Sequence, residues 1–267
     1  MKNWNNTVVW IIGASSGIGR AFAEYLYRSG ASVIGSCPEG EPMEEVWKGI
    51  NADPARRHTL YLDISNTGSL QRAADEALSR FGRIDMLINN AGVSQRALFT
   101  EMKPEVVEKL LRINLLGHML ITRYVLPDMI ARRSGIVLGT SSITGKFGSP
   151  LRTVYSASKH GLIGFYDSLR AEVWKDNIQV TVGIPGFVRT DISRHALTGS
   201  GTAQDKMDKN QAKGISPEVC AENIIRGVEK KKWWVYTGLD MRARLALYLQ
   251  GRLPGLLGRI IRNAEVT

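Results

Sequence analysis

Tyr155, Lys159 and Ser142 form the strongest candidate for a reaction centre in this sequence. Tyr155 and Lys159 lie four positions apart at the start of a predicted helix, so their side chains share one face. A tyrosine with its ordinary pKa of about 10 is a poor acid–base group at neutral pH, but a neighbouring ammonium favours tyrosinate and lowers that pKa. Ser142 follows a predicted strand and could hold a carbonyl oxygen that must be protonated. These three residues indicate catalysis on a carbonyl or an alcohol. The alternative is that Tyr155 and Lys159 are an ordinary pair of side chains on a helix surface.

A second candidate site is the glycine-rich stretch IIGASSGIGR, which allows two interpretations. Gly13, Gly17 and Gly19 join an apolar strand to a helix, where backbone N–H groups can approach a pyrophosphate. The five residues from Gly13 also fit the G-x-S-x-G elbow of hydrolases, with Ser15 as nucleophile. That elbow needs an oxyanion-hole strand and loop upstream, and the preceding sequence offers neither. The stretch therefore favours a dinucleotide site, although the spacing departs from G-x-G-x-x-G.

These residues lie between apolar strands that alternate with helices. The predicted strands cover residues 7–12, 31–36, 59–62, 84–88, 135–138, 178–184 and 233–236. The predicted helices run from residue 17 to 30, within 43–50, from 66 to 81, from 104 to 132 with an irregularity near Pro127, and from 154 to 175. The pattern indicates an α/β fold, a doubly wound, mostly seven-stranded parallel sheet with helices on both faces. Such sheets bind ligands at the carboxyl ends of their strands, where the candidate residues lie.

Composition is that of an ordinary globular protein. The chain has 267 residues, 43% hydrophobic and 22% charged, which is enough to bury a core without disulfides. Cys37 and Cys220 form no C-x-x-C motif, so we expect reduced thiols and a cytoplasmic location. The four histidines are scattered, and we expect no metal site. No secretory signal or membrane span is evident.

The net charge of +10 is concentrated towards the C-terminus, with nine Lys and Arg against two acids between residues 226 and 262. No recognition motif accompanies this charge, so we do not expect nucleic acid as a partner. Within the region, residues 240–263 form a basic and apolar extension that is interrupted by Arg252, Pro254 and Arg259. Three interpretations stay open for it: packing beside the substrate pocket or a partner subunit, peripheral contact with a membrane interface, or disorder.

The order of the motifs resembles the short-chain dehydrogenase/reductase family over about residues 8–190. The matching segments are the glycine loop 13–19, Asp63-Ile64, NNAG at 89–92, Asn114, Ser142, YSASK at 155–159 and PGFVRT at 185–190. The resemblance implies a single Rossmann-like catalytic domain over 1–267 that interconverts a carbonyl and a secondary alcohol with NAD or NADP. The segments SSITGK, SASKH, LRAE and YLQGRLPGLLGRI look most like the dehydrogenase/reductase member-seven group. Members of that group often act on apolar substrates, such as steroids or retinoids, and often associate with membranes.

Residue by residue, the resemblance implies four catalytic groups. Tyr155 would be the general acid/base and Ser142 would orient the carbonyl. Lys159 would bind the nicotinamide ribose and lower the pKa of Tyr155, while Asn114 would hold a proton-relay water. The implied cofactor-binding residues are Gly13, Ser15, Ser16, Gly17, Ile18, Gly19, Cys37, Asp63, Ile64, Asn90, Ala91, Gly92, Tyr155, Lys159, Pro185, Gly186, Val188 and Thr190. In this set Asp63 and Ile64 would lie near adenine, and Val188 and Thr190 near the nicotinamide carboxamide.

The preference between NAD and NADP depends on the end of the second strand. The NAD-preferring pattern has an acid there, which pairs with ribose hydroxyls; the NADP-preferring pattern often has arginine one residue later, or a basic residue before the second glycine. This chain has Cys37, Pro38 and Ser16 at these positions, so both markers are missing. Because no acid is present at that position to repel a 2′-phosphate, we expect NADP(H) to be favoured over NAD(H).

Residues 191–215 form a long polar segment after the sixth strand, which predicts a substrate loop over the ligand-binding edge. The expected partners are a small-molecule carbonyl or alcohol substrate, steroid-, retinoid- or acyl-like, and further copies of the chain in a homodimer or homotetramer. A nucleotide-binding regulatory protein without turnover is the main alternative. The Ser142–Tyr155–Lys159 set argues against it, since a binder has no need of a tuned tyrosine. A serine hydrolase that uses Ser15 is the least favoured interpretation.

Overall fold

The computed structural model describes residues 3–262. Its strands are β1 (Val8–Ile12), β2 (Ser32–Cys37), β3 (Arg57–Tyr61), β4 (Met86–Asn89), β5 (Gly135–Thr140), β6 (Ile178–Pro185) and β7 (Trp234–Thr237). They form one all-parallel sheet in the order β3-β2-β1-β4-β5-β6-β7. The predicted fold class is confirmed. The strand order reverses between β1 and β4, which opens a crevice at their carboxyl ends.

The helices of the described residues are α1 (Gly17–Arg28), α2 (Met43–Gly49), α3 (Leu70–Phe81), α4 (Pro104–Leu111), α5 (Gly117–Arg132), α6 (Thr153–Val173), α7 (Lys209–Ala212), α8 (Pro217–Glu229), α9 (Met241–Arg252) and α10 (Pro254–Arg262). The prediction of an irregularity near Pro127 is wrong, because α5 continues through this residue. Pro127 and Arg123 are both exposed, so water can bind the carbonyl that proline leaves without its helical partner. The irregular segment is instead a π-helical turn at Arg112–Leu116.

Two apolar cores cover the two faces of the sheet. Side chains of β1 alternate between them: Val8, Trp10 and Ile12 join one core, while Val9 and Ile11 join the other. The first core includes buried residues of α3, α5 and α6, and the second includes buried residues of α1, α2 and α8. Since both faces are covered, every residue of β1 is buried. This packing fixes the carboxyl edge of the sheet, where the predicted site lies.

The segment 191–215 lies along this edge. Its backbone pairs with residues that follow β4: the Leu197 N–H donates to the Ser94 carbonyl, and the Arg96 N–H donates to the Leu197 carbonyl, both at 2.9 Å. After β7, the Asp240 carboxylate caps α9 by accepting from the Ala243 N–H at 2.7 Å. Helices α9 and α10 make up the predicted C-terminal extension except for residue 263, which lies outside the described residues. Within residues 3–262, no helix is long and apolar enough to cross a membrane.

Candidate active site

The glycine loop after β1 depends on close backbone approaches. Gly13 has a φ of +81° and Gly17 a φ of +52°, a region that L side chains rarely adopt. A Cβ on Gly13 would lie 2.7 Å from the Cα of Ala91, and one on Gly19 would lie 1.7 Å from the Gly13 carbonyl oxygen. That carbonyl also accepts a hydrogen bond from the Asn90 side-chain amide at 3.1 Å. The predicted loops 13–19 and 89–92 are therefore in direct contact.

The N-terminus of α1 has the features of an anion site. Ser16 is the N-cap residue, yet its side chain makes no capping bond, and the first turn carries no acidic residue. The N–H groups of this turn are thus free to bind a phosphate. A Cβ on Gly17 would lie 3.2 Å from the Cγ2 atom of Thr190, so the segment after β6 meets the loop here. Gly17 and Ile18 are half-buried, and together these residues fit the pyrophosphate of a dinucleotide.

Ser15 makes a contact that the sequence analysis missed. Its buried hydroxyl donates to the carboxylate of Glu41, an exposed residue four positions beyond the end of β2. Burial, followed by the charge of Glu41, raises the pKa of Cys37 to about 11. The family pattern places an acid at the end of the strand itself, whereas Glu41 comes from the loop that follows. A hydrolase nucleophile would donate to histidine rather than to a carboxylate.

Asp63 and Ile64 follow β3 at the same edge of the sheet. The Asp63 carboxylate is exposed and accepts from the Ser65 N–H at 2.9 Å and from the Ser65 hydroxyl at 2.7 Å. Ile64 is buried against α5, where a Cβ on Gly117 would lie 2.4 Å from its Cγ1 atom. The local Asx-turn therefore orients Asp63 while Ile64 anchors the loop.

Ser142 lies just beyond β5 and is almost fully buried. Its Oγ accepts from the Thr144 N–H at 3.2 Å and from the Thr144 hydroxyl at 3.0 Å. A serine hydroxyl has two acceptor lone pairs and one proton. Since Thr144 occupies both lone pairs, the Ser142 proton is left to be donated elsewhere.

Tyr155 and Lys159 lie in the first two turns of α6 and are both buried. The Gln95 side-chain oxygen fixes the start of this helix by accepting from the N–H groups of Val154 at 2.9 Å and Tyr155 at 3.1 Å. The Lys159 ammonium lies 5.8 Å from the centre of the Tyr155 ring and donates to the Thr140 carbonyl at 3.0 Å. Burial lowers the pKa of Lys159 to about 8.

The electrostatic environment of Tyr155 differs from the expected one. Burial raises its pKa, and the opposing influences are hydrogen bonding to Ser142, followed by the charges of Arg152 and Arg96. Lys159, which was expected to lower this pKa, is not among these influences, and its ammonium donates to the Thr140 carbonyl.

Asn114 lies in the π-helical turn between α4 and α5. Its Oδ1 accepts from the Val93 N–H at 2.8 Å, and its amide donates to the Val93 carbonyl at 2.8 Å and to the Ser158 hydroxyl at 3.2 Å. Only one lone pair of Oδ1 is left for another donor. A Cβ on Gly92 would lie 3.3 Å from this oxygen and 3.4 Å from the Lys159 nitrogen, so the two polar groups flank the same point. Such π-helical turns frequently occur at functional sites.

His118 is a further site residue that the sequence analysis did not assign. It is fully buried on α5, and its Nε2 donates to the Ala91 carbonyl at 2.8 Å. Burial, reinforced by the charge of Lys159, lowers its pKa to about 3. The imidazole is therefore neutral and holds the 89–92 loop in place. The available signal was its position one helical turn after Asn114.

The PGFVRT segment closes the edge of the sheet beyond β6. Pro185 pairs with Thr237 in the sheet register, and the Gly186 N–H donates to the Thr237 carbonyl at 2.8 Å. Val188 is buried, and its carbonyl accepts from the Gln211 side chain of α7. The segment is thereby held between β7 and the 191–215 loop, with Thr190 opposite the glycine loop.

Comparison with known proteins identifies the family. A model of the short chain dehydrogenases matches residues 7–200. The chain is 38% identical over 262 residues to dehydrogenase/reductase SDR family member 7B of Bos taurus, which covers 96% of this chain and 80% of that protein. The chain belongs to the short-chain dehydrogenase/reductase family. The predicted similarity to the member-seven group is confirmed, and this short-chain dehydrogenase/reductase is an oxidoreductase that acts on CH–OH donors with NAD or NADP as acceptor.

Solved structures of the family share this fold. A short chain dehydrogenase/reductase from Burkholderia phymatum in complex with NAD has a TM-score of 0.82 at 21% identity, over 100% of this chain and 99% of that one. A metagenomic short-chain oxidoreductase in complex with NADP has a TM-score of 0.73 at 27% identity, over 88% of this chain and 98% of that one. The fold of this short-chain dehydrogenase/reductase is thus found with either nucleotide.

Proposed function

We propose that this enzyme interconverts a ketone and a secondary alcohol through Ser142, Tyr155, Lys159 and Asn114. A nicotinamide cofactor held at the carboxyl edge would supply hydride-transfer chemistry, giving a hydride to the carbonyl carbon or taking one from the alcohol carbon. The hydrogen bonding of Ser142 supports this proposal best. Thr144 donates to both lone pairs of Ser142 Oγ, so the hydroxyl proton of Ser142 can be donated to a substrate oxygen. A donor of this kind stabilises charge on that oxygen in the transition state.

Tyr155 is the proposed proton donor in reduction and the proton acceptor in oxidation. Its phenol is buried, which excludes bulk water from the proton transfer. The remaining lone pair of Asn114 Oδ1 and the Lys159 ammonium flank a point beside Gly92. We propose that a water held next to Gly92 by these two groups is the one through which Tyr155 exchanges its proton with solvent.

The residues at the carboxyl edge of the sheet fit a dinucleotide that is bound in an extended conformation. The uncapped α1 N-terminus and the glycine contacts support pyrophosphate binding. We propose that the cofactor-binding residues are Gly13, Ser15, Ser16, Gly17, Ile18 and Gly19 at the pyrophosphate, Cys37, Asp63 and Ile64 at the adenosine, and Asn90, Ala91, Gly92, Tyr155, Lys159, Pro185, Gly186, Val188 and Thr190 towards the nicotinamide.

A Tyr155→Phe variant tests the mechanism. NADH and NADPH binding should be titrated by fluorescence, and turnover should be measured on a panel of carbonyl compounds. Loss of general acid–base catalysis should lower kcat by about 10²- to 10⁴-fold while nucleotide affinity stays within about twofold. Tyr248→Phe, at an exposed tyrosine of α9, is the matched control. Failure of both nucleotides to bind would refute the cofactor site, and an active Tyr155→Phe enzyme would refute only the mechanism.

Cofactor preference is a separate proposal. The expectation of NADP(H) depended on the lack of an acid at Cys37, but the Glu41 carboxylate beside Ser15 provides an acid from the following loop. A carboxylate at this place can accept bonds from the ribose hydroxyls and repel a 2′-phosphate. We therefore propose NAD(H) in place of NADP(H).

A Glu41→Gln variant tests this preference. The ratio of kcat/KM with NADH to that with NADPH should fall at least about tenfold, which corresponds to about 1.4 kcal/mol of lost discrimination. Glu39→Gln, on an exposed residue of the same loop, should leave the ratio unchanged. A wild-type preference for NADPH would refute the proposal and restore the expectation from the sequence.

For the substrate, we propose an apolar ketone or alcohol, steroid-, retinoid- or acyl-like. The 191–215 loop supports this with the apolar side chains of Ala196 and Leu197, which are buried where the loop contacts the residues after β4. A homologous series of ketones of increasing chain length is the test. The expected result is a KM that falls with each added methylene; a KM independent of length would contradict an apolar pocket.

For assembly and location, we propose a homodimer or homotetramer through α6 and its neighbour, in the cytoplasm and peripheral at a membrane surface. Both cysteines are buried free thiols, as suits a reducing compartment. Helices α9 and α10 and Leu253 between them expose apolar side chains among their arginines, namely Met241, Leu245, Tyr248, Leu253, Leu256 and Ile260. Light scattering tests the assembly. Co-sedimentation with anionic and neutral vesicles, with and without residues 245–267, tests the membrane contact. If removal of these residues left the fraction of protein in the pellet unchanged, the contact would be excluded.

A further inference from the structure

Three charged side chains from distant parts of the chain meet beside the active site. Asp208 belongs to the 191–215 loop, Arg96 follows β4, and Arg152 immediately precedes α6. The Arg96 guanidinium donates to both carboxylate oxygens of Asp208, with Nε 3.4 Å from Oδ1. Arg152 Nη2 donates to Oδ2 at 3.2 Å. The exposed fractions of the three side chains are 7% for Arg96, 16% for Arg152 and 9% for Asp208, so the cluster is largely withdrawn from water.

The charges of this cluster do not cancel. Two guanidinium groups share one carboxylate, and the other partners are neutral: Arg96 donates to the Ser94 hydroxyl at 3.0 Å, and Arg152 donates to the Ser149 hydroxyl at 3.3 Å. A net positive charge in a largely buried place is unfavourable unless a negative charge forms nearby. The cluster therefore has the electrostatics expected beside a group that becomes an anion.

Tyr155 lies three positions after Arg152 at the start of α6, and its phenol is a group beside this cluster that can become an anion. The Arg152 carbonyl accepts from the Ser156 N–H at 2.7 Å in the first turn of α6, and Gln95, next to Arg96, binds the Tyr155 N–H. Both arginines are thus tied to the turn that carries Tyr155. The titratable or charged groups around this phenol and its neighbours Lys159 and Arg152 are Lys159 on α6, His118 on α5, Arg96 after β4, Arg152 before α6 and Asp208 of the loop.

We propose that Arg96 and Arg152 are positioning residues for the reaction: their shared positive charge favours the tyrosinate form of Tyr155, and Asp208 links that charge to the 191–215 loop. This proposal rests on the proposed role of Tyr155. It adds the two arginines to the electrostatic role that was expected of Lys159.

The two kinds of cation differ in the pH range over which they keep their charge. The pKa of Lys159 is lowered to about 8 by burial, so its ammonium loses its proton near the pH at which tyrosinate begins to be useful. Burial, then the charge of Arg96, lowers the pKa of Arg152, but only to about 10. His118, with a pKa of about 3, contributes no charge at neutral pH. The arginine pair therefore supplies positive charge over a range in which Lys159 does not.

The pH profile of kcat/KM for alcohol oxidation tests the proposal. Because the arginines favour the charged form of Tyr155, Arg152→Gln should move the acid limb of the profile to higher pH by about one unit, an activity loss of about tenfold below the midpoint. Arg152→Lys should restore most of this shift. Asp208→Asn, which removes the negative partner, should move the limb to lower pH. Arg123→Gln, at an exposed arginine of α5, is the control and should leave the profile unchanged.

A titration that needs no turnover completes the test. The ultraviolet tyrosinate absorbance of each protein, minus that of its Tyr155→Phe counterpart, isolates the ionisation of Tyr155. Opposite shifts of this ionisation in Arg152→Gln and Asp208→Asn support the proposal. If the midpoint of Tyr155 ionisation did not change in either variant, and only KM or thermal stability did, the cluster would have a purely structural role and the proposal would be overturned. If Tyr155→Phe instead kept full activity, the proposed function itself would have failed.

Discussion

The two ends of the site are built in different ways. The glycine loop of residues 13–19 forms its site from backbone N–H groups and close approaches, with side chains that are small or missing. The 191–215 loop reaches the site through long charged side chains, with Asp208 bound to two arginines. The first kind of site tolerates no added atom next to its glycines. The second depends on charge balance, because its members are buried.

The largest effect is expected from adding one methyl group to the glycine loop. In Gly19→Ala the new Cβ would lie 1.7 Å from the Gly13 carbonyl oxygen, and this backbone group cannot shift as a flexible side chain could. We expect nucleotide affinity to fall by at least about 100-fold, or the free energy of unfolding to fall by about 4 kcal/mol. Fluorescence titration and denaturant unfolding measure the two quantities. Gly251→Ala, where nothing lies within 4 Å, is the control and should be neutral or slightly stabilising. If Gly19→Ala changed neither nucleotide affinity nor the free energy of unfolding, the glycine loop would not depend on close approach as proposed.

A smaller but still large effect is expected from the charge of the loop. Asp208→Asn leaves two largely buried guanidinium groups without a counter-charge, so we expect a loss of about 3 kcal/mol in the free energy of unfolding. The exposed Arg194–Asp191 pair of the same segment has side chains that are 48% and 66% exposed. Asp191→Asn should therefore cost less than about 0.5 kcal/mol. Equal losses in the two variants would show that burial does not distinguish these ion pairs.

The smallest of the three effects concerns His118, which binds the 89–92 loop beside the glycine loop. His118 has a folded-state pKa of about 3, below its ordinary value of about 6.5, so the unfolded chain binds a proton that the folded one refuses. Its contribution is fully present above pH 6.5 and is lost as the pH falls towards 3. Between pH 7 and pH 5 we expect a loss of about 2 kcal/mol in the free energy of unfolding.

A His118→Gln variant should flatten this pH dependence, while its amide can still donate to the Ala91 carbonyl. Denaturant unfolding at pH 7 and pH 5 measures the slope for both proteins. His195→Gln, on an exposed residue of the 191–215 segment, is the control and should keep the wild-type slope. An unchanged slope in His118→Gln would mean that His118 is not the group responsible.

The glycine loop and the reaction centre could be predicted because their signals are local. Gly13, Gly17 and Gly19 lie between one strand and one helix, and Tyr155 and Lys159 lie one helical turn apart. The parallel sheet then brings the ends of its strands to one edge whatever the details of the loops. The same logic explains the error at Pro127: proline usually breaks a helix, but an exposed carbonyl can be solvated.

The sequence by itself determined the alternating strands and helices, the family motifs and the order of the reacting groups, because each depends on neighbours a few positions apart. Only the tertiary structure decided which charges act on them. Glu41 reaches Ser15, and Asp208 binds Arg96 and Arg152 across more than fifty residues of chain. Contacts of this length leave no periodicity in the sequence. The burial that raises the pKa of Tyr155 and lowers that of Lys159 likewise exists only once the helices cover the sheet.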